Sequence, residues 1–291
     1  SFKRVGRRHI PQDMSKHWIQ FKNKIINVKT GEEMTASHKF FSTNPIAWNV
    51  GLTEDTPVMD KLFDDWQEEN KKVLYEVLSY CLICDYPIHV IIAMIGSGRN
   101  GKTQYQIIIE RLLGKENITS AELDVLIENR FESAKLYKKL VCSMGETNFN
   151  MISKTSLLKK LCGGDLIGFE FKNKNPFTAH NYEKIIINTT SLPPSDDTTE
   201  GFYRRWLIIN WDHNFPEGKD IVDTIPEIEY ENLCLKLIRV LRELLDRGSF
   251  ETQGSIENRK QRYIQASNPI SIFIHEKCEI GYEFFIKAKD L

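Results

Sequence analysis

Eight consecutive residues carry the densest chemistry in this chain: Gly96, Ser97, Gly98, Arg99, Asn100, Gly101, Lys102 and Thr103. They fit the pattern G-x-x-x-x-G-K-[ST], in which main-chain amides close around phosphates, the lysine neutralises the outer oxygens and the hydroxyl holds Mg2+. A string this short arises by chance, so its context decides. The apolar run from His89 to Ile95 reads as a buried strand, and the residues from Lys102 onward (TQYQIIIERLLG) read as a helix with Gly114 as a left-handed stop. Strand, loop and helix in that order bring the unpaired first amides and the positive dipole end of the helix to an anion. The bland alternative is a glycine-rich turn that binds nothing, and the flanking pattern weighs against it. The loop predicts a nucleoside-triphosphate site.

Four further sets of residues fall where such a site would use them. The stretch KKLVCSMGETNF predicts a second apolar strand, Leu140 to Met144, followed closely by Glu146. A carboxylate beyond the carboxyl end of a buried strand is placed to hold the metal or to activate water. KIIINTTSLPP predicts a third buried strand ending at Asn188, whose amide can orient the attacking water, touch the outer phosphate or simply cap a turn. GFYRRWLIINW puts Arg204 and Arg205 directly before a fourth apolar strand. Such arginines pair with surface acids or reach a triphosphate held by a neighbouring subunit, and the second role needs an oligomer. Finally, LIGFEFKNKNPFT alternates on both sides of a Lys-Asn-Lys-Asn tip, predicting a hairpin or protruding loop. Lys172 and Lys174, beside Phe171 and Phe177, offer cations to phosphates and rings to bases, or else form a solvated turn.

The elements that must position these residues are those of an ordinary globular chain. Its 291 residues are 41% hydrophobic and 27% charged, enough for a full core. No run of eighteen apolar residues and no signal peptide is evident, which predicts a soluble, cytoplasmic protein with no membrane partner. Of six cysteines only Cys81 and Cys84 lie close together, inside a helical apolar stretch, and they read as reduced packing residues rather than a zinc or redox pair. The net charge of -1 does not advertise nucleic acid, although the first thirty residues are rich in Lys and Arg. Residues 1–58 predict an N-terminal α+β region, with two strands around a turn at Gly31 and an extended NPIAWNVG. Residues 59–86 predict a pair of core-facing helices, residues 87–215 the nucleotide-binding core, and residues 216–291 a helical C-terminal region. In the last, Pro226 opens one long helix that Gly248 ends, and a second helix runs from about Ser255 to Ala266. In the core, Thr119 and Glu122 are spaced as a capping box for a helix over NITSAELDVLIENRF. The start on Ser1 and the end at Leu291, inside a strand-like stretch, suggest a piece of a longer polypeptide.

Together these motifs resemble the superfamily 3 helicases, in the phage, plasmid and large-DNA-virus primase-helicase branch. The resemblance rests on GSGRNGKT, on RFESAKLYKKLVCSMGETN, on LLKKLCGGDLIGFEFKNKNPFTAHNYEKIIINTTSLP and on GFYRRWLIINW, in that order, and extends from KNKIINVKTGE to YIQASNPISIFI. It implies an α/β fold with an AAA+-like ATPase core around a mostly parallel sheet, flanked by a small α+β region and by helices. It also implies a hexameric ring that uses ATP and Mg2+ to move along single-stranded DNA and open a replication fork in the host cell of a virus, phage or plasmid. Carried over to this chain, Lys102 and Thr103 would bind phosphate and Mg2+, Glu146 would be the acid of the second motif and Asn188 the polar sensor. Arg205 would reach the neighbour's site with Arg204 in reserve, and Lys172 and Lys174 would grip DNA in the channel. The branch commonly carries a primase module upstream and a winged-helix module downstream near Phe284, so no priming is expected from this stretch. One departure is that Gly145 precedes Glu146 where many members have a second acid. Two rivals remain: an ATP-gated scaffold that loads on an origin without processive unwinding, and, less well supported, a small-molecule kinase built on the same loop.

Overall fold

The computed structural model describes residues 16–37, 40, 42–68, 70–129, 131–145, 152, 155–215 and 221–268. Glu146 and everything beyond residue 268, including the stretch after Pro269, lie outside the described residues. The protein is α/β, built on a five-stranded parallel sheet with helices around it. Its strands are β4 (Ile91–Ile95), β5 (Ile118–Ser120), β6 (Val141–Met144), β9 (Lys184–Thr189) and β10 (Trp206–Asn210). Their spatial order is β10-β4-β9-β6-β5, and every neighbouring pair is parallel. The interior strand β4, between β10 and β9, is buried at all five positions, as an unbroken Ile-Ile-Ala-Met-Ile run requires when both faces of a sheet are covered.

Before the sheet, three short antiparallel strands, β1 (Trp18–Gln20), β2 (Lys24–Asn27) and β3 (Glu33–Thr35), form a small meander. Gly31, at φ +80°, makes the expected β2–β3 turn, and the Asn27 side chain accepts from the amides of Lys29 and Thr30 inside it. Trp18–Gln20 is a third strand beyond the two expected. The NPIAWNVG piece runs beside it without becoming a strand, tied by Ile46 N to Gln20 O and by Lys22 N to Trp48 O. The helical pair is α1 (Pro57–Trp66) and α2 (Lys71–Tyr80), and both pack on the long helix α7 (Glu227–Arg247). On α1, Met59, Leu62, Phe63 and Trp66 fall on one buried stripe. The first amides of this helix are satisfied from a distance: Glu229 of α7, 3% exposed, accepts from Val58 N and Met59 N at 3.0 Å each.

Helix α3 (Lys102–Leu113) follows β4. The capping-box expectation is corrected here. Ile118–Ser120 forms the edge strand β5, with Thr119 opposite Cys142, and the helix α4 (Leu123–Glu128) begins only after it, with no side-chain cap from Glu122. The ladder with β6 outweighs the local capping signal. Helix α5 (Thr155–Leu161) leads into the antiparallel hairpin of β7 (Leu166–Phe169) and β8 (Phe177–His180). A short α6 (Glu200–Tyr203) precedes β10, and α8 (Ile256–Ala266) packs on both. Gly248 ends α7 at φ +71°, and Ser255 caps α8 by accepting from Asn258 N. Among the described residues no helix is long and apolar enough to cross a membrane.

Candidate active site

The glycine-rich loop leaves the carboxyl end of β4 and enters α3, at the edge of a parallel sheet where ligands collect in such folds. Its shape is set by close approaches. Gly101 holds φ +92° as the residue before α3, and a Cβ there would lie 2.5 Å from the indole nitrogen of buried Trp66. Gly96 stands so near Trp211 O that a Cβ would run into it, whereas Gly98 has open space. Arg99 also takes a positive φ, +65°, an uncommon conformation for a residue with a side chain. Under the loop lies an aromatic floor in which Trp66 and Trp211 are 5.7 Å apart between ring centroids, with Tyr105 edge-on to Trp66.

Polar staples complete the loop. Asn100 is buried and works at both ends of its amide: Nδ2 donates to Ser97 O at 2.5 Å and to Trp211 O at 3.0 Å, while Oδ1 accepts from Lys102 Nζ at 3.1 Å. Lys102, 9% exposed, also donates to Gly96 O and to Ser97 O, so its ammonium is folded into the curl of the loop. The segment after β10 straps the outside, through Phe215 N to Arg99 O at 2.8 Å and Ser97 Oγ to Asn214 at 3.4 Å. Thr103 is exposed at the start of α3, and no side chain caps that helix end. The curl therefore offers a buried cation, an exposed hydroxyl and the first turn of a twelve-residue helix to one anion. These residues fit a phosphate chain and its magnesium on the protein side, with Lys102 for phosphate and Thr103 for the metal.

Asn188 is brought to this place. It sits one residue from the end of β9, beside Met94 of β4, and its Nδ2 donates to Gln106 Oε1 of α3 at 3.4 Å. Its Oδ1 is buried and has no partner among the described residues. Glu146 is not described, but β6 ends at Met144 opposite Ile187, so the chain leaves that strand alongside Asn188.

The arginines are not brought there. Trp206, at the start of β10, pairs with Ile91, the first residue of β4, so Arg204 and Arg205 lie at the amino edge of the sheet. Arg205 and Trp211 are six residues apart along extended chain, about 20 Å, farther than an arginine side chain spans. The two side chains also differ. Arg205 is turned inward, with Nη1 donating to Gly201 O, its guanidinium against Cys162 and its Nε buried without a partner among the described residues. Arg204 is exposed, and its carbonyl is gripped by Arg259 of α8 at 2.5 Å. Burial first, then the charges of Arg205 and Arg204, hold His89 below its usual value.

The predicted tip is a true hairpin turn. Lys172 and Lys174 are both exposed, Asn173 between them takes φ +62°, and Lys174 Nζ stands 5.3 Å over the Phe171 ring. Phe171 stacks on Phe177, Phe177 on Phe169, and Tyr137 meets these rings edge-on or tilted. The stack stiffens the base from which the two lysines project.

Sequence reasoning missed Trp66, the Trp211–Phe215 strap, Gln106 and Arg259. Each acts across a long sequence separation, and only Trp66 carried a local signal, as a member of the apolar stripe of α1.

Residues 94–205 match a family of unknown function, DUF5906. Among solved structures, the apo C-terminal region of NrS-1 is similar, with 14% identity and a TM-score of 0.56 over 87% of this chain and 59% of that one. An A-form apo structure of the same region gives 15% identity and a TM-score of 0.52 over 87% and 63%. This chain spans less than two thirds of those structures, and at such identity the likeness concerns the fold alone.

Proposed function

We propose that this chain is an ATP-hydrolysing DNA motor of the superfamily 3 kind, with an AAA+-like core, that assembles as a ring, moves on single-stranded DNA and opens a replication fork. The observation that carries the reading is the division of the sheet into two ends. The glycine-rich loop, Lys102 and Asn188 stand at the carboxyl edge, and Arg204 and Arg205 at the amino edge about 20 Å away. One copy supplies the phosphate cradle and a neighbour supplies the arginine. Magnesium, when bound, would neutralise phosphate charge, with Thr103 as one ligand and Glu146 as the matching acid. Lys102 would leave its loop carbonyls for the outer phosphates, and Asn188 would help hold the attacking water. Arg204, exposed, is the better placed of the two arginines to reach a neighbour, with Arg205 bracing the turn behind it. The hairpin lysines would follow the DNA backbone in the ring's channel.

The test is ATP hydrolysis by the purified chain with and without single-stranded DNA, across protein concentration, beside Lys102→Ala. Turnover that rises steeply with concentration, is stimulated by DNA and is lost in the variant supports the motor. Turnover that is flat with concentration and indifferent to DNA sinks it. Concentration-dependent, DNA-stimulated turnover that leaves a forked substrate closed would instead favour the ATP-gated origin scaffold.

A further inference from the structure

Asn188 does not meet the candidate site alone. Gln106 and Glu110 lie one turn apart on α3, and Gln106, 7% exposed, reaches to the end of β9. Gln106 Nε2 donates to Glu110 Oε1 at 3.4 Å, and Gln106 Oε1 accepts from Asn188 Nδ2 at 3.4 Å. Beyond that, Asn188 Oδ1 is left buried and unpartnered among the described residues.

The order of donors and acceptors in this chain is forced from one end. An ionised carboxylate only accepts, so Glu110 requires the NH2 of Gln106. Gln106 then has only its carbonyl for Asn188, which answers with its own NH2. What remains for the site is the Asn188 carbonyl oxygen, an acceptor.

We propose that Glu110 and Gln106 are positioning residues that set the polarity of Asn188, so that it presents an acceptor to a water molecule and not a donor to the outer phosphate. This rests on the ATP-hydrolysis reading. A phosphate oxygen facing Asn188 Oδ1 would meet acceptor against acceptor, whereas a water can donate one hydrogen to it and keep a lone pair for attack. Sequence alone leaves both contacts open for Asn188, and the relay chooses between them.

The experiment measures steady-state ATP turnover, nucleotide affinity by a fluorescent ATP analogue, and thermal unfolding on the full chain. Gln106→Glu sets two carboxylates against each other and should lower kcat by on the order of 10- to 100-fold with affinity little changed. Adding Glu110→Gln restores the order. The amide now at position 110 donates to the carboxylate now at position 106, whose second oxygen still accepts from Asn188, and most of the turnover should return. Glu110→Lys reverses the relay: lysine donates to the Gln106 carbonyl, both amides turn over, and kcat should fall in a folded protein that still binds nucleotide. A double variant no faster than Gln106→Glu alone, or a Glu110→Lys variant with wild-type kcat, overturns the relay. Wild-type protein that shows no ATP turnover, or turnover that survives Lys102→Ala, overturns the ATP reading instead.

Discussion

Gly101 is the position at which the loop is least able to accept any other residue, and Gly101→Ala tests why. Two costs add there. The residue holds φ +92°, where a side chain costs about 1–2 kcal/mol. An added methyl would also stand 2.5 Å from Trp66 Nε1 and 2.7 Å from its Cδ1. Trp66 is 2% exposed and wedged among Phe63, Tyr105 and Trp211, so it has nowhere to retreat, and overpacking of such a site costs about 1–3 kcal/mol. The total, about 2–5 kcal/mol, is a large part of the stability of a typical domain. Urea unfolding should show it as a lower midpoint at unchanged slope. Gly98→Ala is the control: no atom lies within 4 Å of its Cβ, and the variant should stay within about 0.5 kcal/mol of wild type. Pairing Gly101→Ala with Trp66→Leu separates the two costs, since the smaller side chain relieves the clash and not the backbone. The double variant should then lose less than the sum of the singles. A Gly101→Ala protein within about 0.5 kcal/mol of wild type would refute the packing argument, as would a Gly98→Ala protein equally damaged.

Other expectations follow from the same geometry. Glu229→Ala leaves two amides of α1, that of Met59 buried and that of Val58 partly buried, without an acceptor and should cost about 3–6 kcal/mol in urea unfolding, since each bond to a charged group is worth about 1.5–3 kcal/mol. Lys172→Ala with Lys174→Ala should flatten the salt dependence of single-stranded DNA binding by about 0.7 for each phosphate no longer neutralised, and an unchanged slope would remove the hairpin from the DNA path. Arg204→Ala should spare nucleotide binding and lose cooperative hydrolysis, while Arg205→Ala should lower stability as well, because Arg205 is turned into its own chain. Burial pushes the Cys81 and Cys162 thiols up to about 12 from an ordinary 9.0. The folded state therefore keeps protons that the unfolded state sheds, and this stability, full below about pH 9, declines as the pH rises toward about 12. Urea midpoints measured from about pH 8 to about pH 11 should fall, and Cys81→Ala should reduce the slope.

The elements that carry an unbroken local signal were legible in the sequence. The strand before the loop, α3, the α1 and α2 pair, α7 with Gly248 and α8 with Ser255 all stand within a few residues of where periodicity and end signals place them. The sites were legible as types and not as arrangements. Thr119 and Glu122 show the limit: their spacing favours a cap, but Cys142 offers a ladder, and pairing decided the outcome. Arg204 and Arg205 are adjacent and chemically alike, so nothing local separates them. The Gly201 carbonyl and Cys162 turn one inward and leave the other exposed. Gly101 enters the sequence pattern only as a glycine of the phosphate loop, and its tightest constraint is Trp66, thirty-five positions earlier.

On the proposed reading, the two ends of the sheet also dictate how copies must meet. The cradle at the carboxyl edge and the arginines at the amino edge are different surfaces, so a shared site joins unlike faces, head to tail. Such a contact repeats, and it closes into a ring or runs on as a filament according to the rotation it imposes. The edge that carries the arginines is fixed from two sides within one copy: Ile91 N of β4 donates to Arg205 O, and Arg259 of α8 donates to Arg204 O, both at 2.5 Å. The backbone of the arginine pair is thus tied to the same strand, β4, whose other end opens into the glycine-rich loop. On that reading, a shift in the loop on hydrolysis would have a strand, buried along its length, through which to reach the arginine presented to the next copy.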